Sequence, residues 1–131
     1  MDETSRCPFC DRALKAESAG RNSLVISLLD SYPVSEGHTL IVPLAHEADV
    51  LKLDTETQSA MWALAIETAR KQVEAPGVTG CNIGINVGRT AGQTVDHAHL
   101  HVIPRRDGDT ADPRGGVRWV IPETADYWSR H

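Results

Sequence analysis

The sequence has too few cysteines, and an awkward number of them, for a disulfide scaffold. There are three, Cys7, Cys10 and Cys81, and an odd count fits a disulfide framework poorly. It also lacks any apolar run near the roughly 20 residues that cross a bilayer, so no membrane partner is expected. The opening residues Met1-Asp2-Glu3-Thr4 carry acids and have no apolar stretch behind them, which argues against a secretory signal and predicts a cytoplasmic protein. A basic excess is missing too: 13 Lys and Arg face 18 Asp and Glu, for a net charge of −5. The basic residues are scattered apart from Arg105-Arg106. Proteins that coat nucleic acid usually carry a basic stripe, so long nucleic acid is not expected as a partner. A single nucleotide, which a few local donors hold, stays open. Internal repeats and low-complexity segments are absent.

What remains is an ordinary soluble composition, 40% hydrophobic and 24% charged over 131 residues, the size of one domain. A short helical stretch is predicted near Arg12 to Glu17. Ser23 to Leu29 reads as a strand from its apolar, partly β-branched run, and Asp30 to Gly37 as a turn. Thr39 to Val42, ended by Pro43, is a second strand that pairs with the first as a hairpin. Thr55-Glu56-Thr57-Gln58 resembles a capping box, and Met61, Leu64, Ala65, Ala69 and Val73 follow at helical spacing. Trp62 beside that stripe reads as packing, and Ala75-Pro76-Gly77 as the stop. Cys81 to Val87 and His97 to Ile103 read as third and fourth strands, with Val117 to Ile121 as a fifth strand or an arm. The order predicts an α+β domain with a mostly antiparallel sheet.

The most informative segment is His97-Ala98-His99-Leu100-His101-Val102-Ile103-Pro104. Alternation along a strand puts His97, His99 and His101 on one face and Ala98, Leu100 and Val102 on the other. Imidazoles in a row are costly to bury without partners. They suit a metal site or nucleophilic catalysis, and both hold if the histidines divide the labour. The preceding Asn86 to Val95 stretch holds Gly88 and Gly92 among hydrogen-bonding side chains. Glycine lets backbone amides approach an anion closely, so the loop reads as a phosphate site. Cys7-x-x-Cys10 has the spacing of half a zinc site, or of a free or redox pair. Cys81 reads as a packed thiol.

Together, His97-x-His99-x-His101-Val102-Ile103, Ala91-Gly92-Gln93-Thr94-Val95-Asp96 and the hairpin Pro33 to Pro43 around Gly37-His38 resemble the histidine triad (HIT) family, in order, from about Cys7 to Pro104. The resemblance implies a five-stranded, mostly antiparallel sheet with one main helix and a short N-terminal helix, usually as a homodimer. It makes residues 1–131 a single domain, with a core over 7–104 and a loop and arm over 105–131. It implies hydrolysis or transfer at the α-phosphate of a purine, AMP-type nucleotide through a nucleotidyl-histidine, with non-catalytic nucleotide binding as the alternative. His99 is then the nucleophile and His101 a phosphate donor. Gln93 and Thr94 face the phosphate and leaving group, with the Gly92 backbone and Asn86 beside them. Asp30 binds the ribose, and Phe9, Leu28 and Ile41 lie near the base pocket.

The carbonyl of an apolar motif residue is expected to hold the second nitrogen of His99. His38 reads as structural. In the zinc-bearing branch of the family the resemblance adds His46 and His97 to Cys7 and Cys10, a closed set of four ligands and hence one structural zinc per chain. Arg114, Arg118, Trp119 and Trp128 either reach a substrate across a dimer or pack as an arm on the sheet.

Overall fold

The computed structural model describes residues 7–14 and 20–130. Five antiparallel strands form one sheet in the order β1 (Gly20–Arg21), β2 (Val25–Leu29), β3 (Thr39–Pro43), β5 (Leu100–Arg105), β4 (Gly80–Ile85). Four of them carry the sheet. The fifth strand is the two-residue β1 at one edge. Val117 to Ile121 supplies no strand, because Gly116–Val120 winds into a 3-10 turn. The short helix α1 spans Pro8–Leu14, earlier than the expected Arg12 to Glu17, of which residues 15–17 lie outside the described residues.

Each face of the sheet has its own cover. Val25, Ile41, Leu100 and Val102 point to one side, where the long helix α2 (Thr55–Glu74) lays Met61, Leu64, Ala65 and Ala69 on them. Asp54, not Thr55, caps α2: its carboxylate accepts from the Thr57 amide at 2.7 Å, while the Gln58 side chain donates to the carbonyls of Val50 and Leu53. Trp62 and Val73 fall off the buried stripe, with 45% and 44% of their surface exposed, so Trp62 is not core packing here.

On the opposite face Ile26, Leu28, Leu40 and Val42 pack under α1 through Cys7 and Phe9. Farther along, the C-terminal turn reaches β4, where a Cβ on Gly116 would stand 3.1 Å from Asn82 Nδ2. Between these two covers lies the stretch of β5 that bears His101. The register pairs His101 with Leu40 on β3 and Gly84 on β4, so an apolar side chain flanks it on one side and no side chain on the other. The fourth strand starts at Leu100 rather than His97. The Ala98 amide donates to Glu47 O instead of to a neighbouring strand, and the His97 ring turns toward the cysteines. The in-out alternation persists through this unpaired lead, with Ala98 in the α2 core.

The tail from Asp112 packs on itself as an arm. Arg114 lies over the Trp128 ring at 5.1 Å, Arg118 over Tyr127 at 4.8 Å, and Trp119 Nε1 donates to Arg114 O. Gly115, at φ +91°, has no room for a Cβ, which would lie 2.8 Å from Trp128. None of Arg114, Arg118, Trp119 and Trp128 lines the histidine cavity. No helix among the described residues is long and apolar enough to cross a membrane.

Candidate active site and metal centre

A cavity of about 340 Å³ opens between α1, the loop after β2 and the segment 92–95, with His99 and His101 in its wall. His99 is 7% exposed and receives that exposure from the cavity. Its Nδ1 lies 2.8 Å from the His97 carbonyl. A carbonyl only accepts, so Nδ1 carries the proton and a neutral ring keeps its lone pair on Nε2. The holding carbonyl belongs to His97 rather than to an apolar motif residue, because the ring folds back two residues along an extended backbone. Phe9 stands edge-on to the same ring, with centroids 5.0 Å apart.

His101 has the opposite tautomer for an equally local reason. The Val34 amide donates to His38 Nδ1 at 3.1 Å, so the proton of a neutral His38 sits on Nε2. That nitrogen is 2.9 Å from His101 Nδ1 and donates to it. His101 is left with its proton on Nε2, a donor for an oxygen in the cavity. Asp30 Oδ2 is 3.4 Å from His38 Nε2, and Asp30 Oδ1 accepts from the Tyr32 amide. Burial pushes the His101 imidazole down to about 4, with the nearby His99 and His38 adding to the shift and Asp30 opposing it. His38 is also lowered, by burial first and against the pull of Asp30.

Of the expected site residues, Phe9, Asp30, Asn86, Gly92, Thr94, His99 and His101 all line this cavity. Two do not. The Leu28 side chain is 1% exposed, packed beneath α1, and its cross-strand partner Leu40 reaches the cavity in its place. The Gln93 amide is spent on the loop itself. Its Oε1 accepts from the Gly88 amide, and its Nε2 donates to the carbonyls of Ala48 and Val95. Ile41, on the α2 side of β3, is buried in the other core.

Sequence reasoning missed Pro8, Arg12, Ser31 and Tyr32 in the cavity wall and the hold of His38 on His101. A usable signal existed for Pro8 and Arg12, because they flank Phe9 within one helix. The fit of Ser31 and Tyr32 depends on how the loop after β2 folds, which residue types do not state.

Beside the cavity, Cys7 Sγ, Cys10 Sγ, His46 Nδ1 and His97 Nδ1 all lie within 4.8 Å of one another. Individual contacts are 3.1 Å for His46–His97, 3.2 Å for Cys7–His97 and 3.3 Å for Cys10–His46. A tetrahedral metal with bonds of 2.0–2.3 Å separates its donors by roughly 3.3–3.8 Å. His97 Nε2 donates to Pro43 O at 2.8 Å, which leaves its Nδ1 a bare acceptor aimed into the cluster. Burial lowers the proton affinity of His97 as well, the Pro43 bond acting against it and the neighbouring His46 and His99 with it. Two thiols and two imidazoles whose acceptor atoms converge fit a closed, four-coordinate metal site.

A family model described as the HIT domain matches residues 12–108. The chain is 37% identical over 105 residues to an uncharacterized HIT-like protein, MG132, of Mycoplasma genitalium, covering 78% of this chain and 74% of that one. It is 31% identical to an Arabidopsis thaliana protein described as adenylylsulfatase HINT3, over 79% of this chain and 54% of the other. Among solved structures it resembles a zinc-bound histidine triad family protein from Mycobacterium smegmatis, with a TM-score of 0.77, 35% identity, and coverage of 83% and 81%.

The His101 shift has a consequence for stability. In the unfolded chain this imidazole binds a proton near 6.5, in the fold only near 4. Between those values the unfolded state holds more protons, so stability rises with pH and is lost as pH falls through the window. Urea midpoints should therefore decline from neutral pH toward pH 4, and His101→Gln should flatten the decline. An unaltered slope in that variant would remove His101 as a source.

Proposed function

The chain belongs to the HIT domain family, and from that premise we propose that it cleaves a P–N or P–O bond at the α-phosphorus of a nucleoside phosphoramidate or dinucleoside polyphosphate. The observation that carries this reading is the pair of opposite tautomers in one cavity, a lone pair on His99 Nε2 beside a proton on His101 Nε2. His99 Nε2 attacks phosphorus, a nucleotidyl–nitrogen bond forms, and the bond to the leaving amine or oxygen breaks with its electron pair, which takes up a proton from solvent that the attacking water of the second step gives back. The His97 carbonyl balances the positive charge that develops on the ring. His101 donates to a phosphoryl oxygen, and the Gly92 backbone and the side chains of Thr94 and Asn86 line the same end. Water then takes the nucleotidyl group from His99. Gln93 holds the loop closed in this scheme and makes no direct contact with phosphate.

Asp30 and the α1 residues Phe9 and Arg12 face the nucleoside, which we assign as purine and AMP-like. The Arabidopsis relative's description as an adenylylsulfatase supports a nucleotide-cleaving reading. The four-donor cluster suits zinc in a structural role, and the zinc-bound mycobacterial structure supports that metal. Cys7, Cys10, His46 and His97 would hold it and so steady the backbone that holds His99. A reducing cytoplasm would keep both thiols available. We read 1–131 as one domain with the tail as its arm. We also assign a homodimer through the outer edge of β4, where Trp62, Leu51, Ile85 and Val87 border an open groove.

Three measurements test this reading. His99→Ala should lower turnover of adenosine 5′-phosphoramidate by at least about a thousandfold while AMP binding persists; unchanged turnover would exclude His99 as nucleophile. AMP binding by the natural sequence with no turnover of any such substrate would instead point to a binding module. Elemental analysis should give about one zinc per chain, with Cys7→Ser losing the metal and melting several degrees lower; metal-free protein from zinc-replete expression would defeat the metal assignment. Light scattering should report a dimer that Trp62→Glu converts to monomer, and a monomeric natural sequence would rule the dimer out.

A further inference from the structure

Helix α1 belongs to two sites at once. Cys7 and Cys10, which bracket its first turn, supply both thiols of the metal cluster. Pro8, Phe9 and Arg12 line the histidine cavity. The Phe9 ring stands edge-on to the donor His97 at 6.0 Å and to His99 at 5.0 Å, in contact with both centres. One turn farther, Arg12 donates to Leu29 O at 2.7 Å and reaches Ser31 Oγ at 3.4 Å, so α1 is tied to the loop that carries Asp30. Isolated helices shorter than about 12 residues are marginal in water, and α1 has seven. Its placement is therefore set by what it is fastened to rather than by its own propensity. The fastenings are the cluster, the apolar seat under Cys7 and Phe9, and the Arg12 bonds.

We propose that α1 is a shared wall that couples the two sites: metal held by Cys7 and Cys10 sets Phe9 and Arg12 in place against a bound nucleotide, and a bound nucleotide holds the two thiols in place for the metal. The proposal rests on the nucleotide reading of the cavity. Because a bound nucleotide would hold both thiols in place, the coupling is readable at the metal, as slower release, without any turnover. A coupling on the order of tenfold lies inside the usual range for linked sites.

The experiment uses the zinc-loaded full chain and a chromogenic chelator, and measures the rate of metal release alone, with AMP, and with inorganic phosphate, each ligand at a concentration that calorimetry shows to saturate. Phosphate lacks the nucleoside, the part of AMP that is assigned to Phe9 and Arg12. AMP should slow release about tenfold and phosphate should leave it nearly unchanged. Equal slowing by phosphate would mean that any ligand merely stabilises the whole fold, and would overturn the proposal. So would unchanged release with AMP demonstrably bound. If calorimetry shows no AMP binding at all, the nucleotide reading itself fails, which is a separate result. Arg12→Ala supplies the second arm, because it keeps both thiols but cuts the tie to the Asp30 loop. Its zinc content should match the natural sequence while the AMP effect on release falls below about twofold. A full AMP effect in this variant would overturn the route through α1.

Discussion

The hydrogen bond from His99 Nδ1 to the His97 carbonyl does two things through one contact. It fixes the His99 tautomer, and it ties the ring to the backbone of a residue whose own side chain is anchored elsewhere. A carbonyl moves only with its peptide plane. That plane is pinned from both ends, by the His97 ring between Pro43 O and the thiol cluster, and by the Ala98 amide on Glu47 O. The lone pair on His99 thus inherits its direction from the carbonyls of Pro43 and Glu47, two residues at and just after the end of β3. Loosening the cluster would loosen the peptide, and the ring with it.

The same segments are joined a third time by Gln93, whose amide bridges the carbonyls of Ala48 and Val95. Residues 43–48 and 93–98 are therefore laced together by a backbone amide, an imidazole and a carboxamide. All three bonds use main-chain carbonyls of residues 43–48 as acceptors, so the lacing is insensitive to most side-chain identities within that segment. It also explains why β5 begins only at Leu100. The residues before it already have partners and have no ladder to join.

Much of this was legible in the residues because two periodicities carry it. The period of two through Ala98, Leu100 and Val102 assigns the histidine face, and the helical spacing of Met61, Leu64, Ala65 and Ala69 assigns the cover of the other face. The cysteine spacing and the motif around Gln93 and Thr94 located the site along the chain. What stayed hidden depends on long-range contact. Leu28 and Leu40 are both apolar and occupy facing positions of one ladder, and only the placement of α1 decides that Leu28 is covered while Leu40 meets the cavity. Asp54 caps α2 one residue before the Thr55 that resembled the cap, since the two are equally suited by type and the chain direction decides. Gln93 could donate to phosphate or to a carbonyl with the same amide, and the loop geometry awards it to Ala48.

Four histidines with one chemistry perform four tasks here because each has a different first partner. His97 gives its Nε2 proton to Pro43 O and turns a bare Nδ1 to the thiols; His99 gives its Nδ1 proton to a carbonyl and keeps Nε2 bare. His38 accepts from Val34 and passes its proton toward His101, which keeps its own on Nε2. In every case a main-chain group settles the choice, directly or through one intervening ring. Backbone groups do not titrate, so the tautomer of each neutral ring is set by a partner whose role as donor or acceptor never reverses. The sheet and its two flanking loops supply those groups at fixed positions, and this is the sense in which the fold, rather than the motif alone, leaves one ring with a bare nitrogen and its neighbour with a proton.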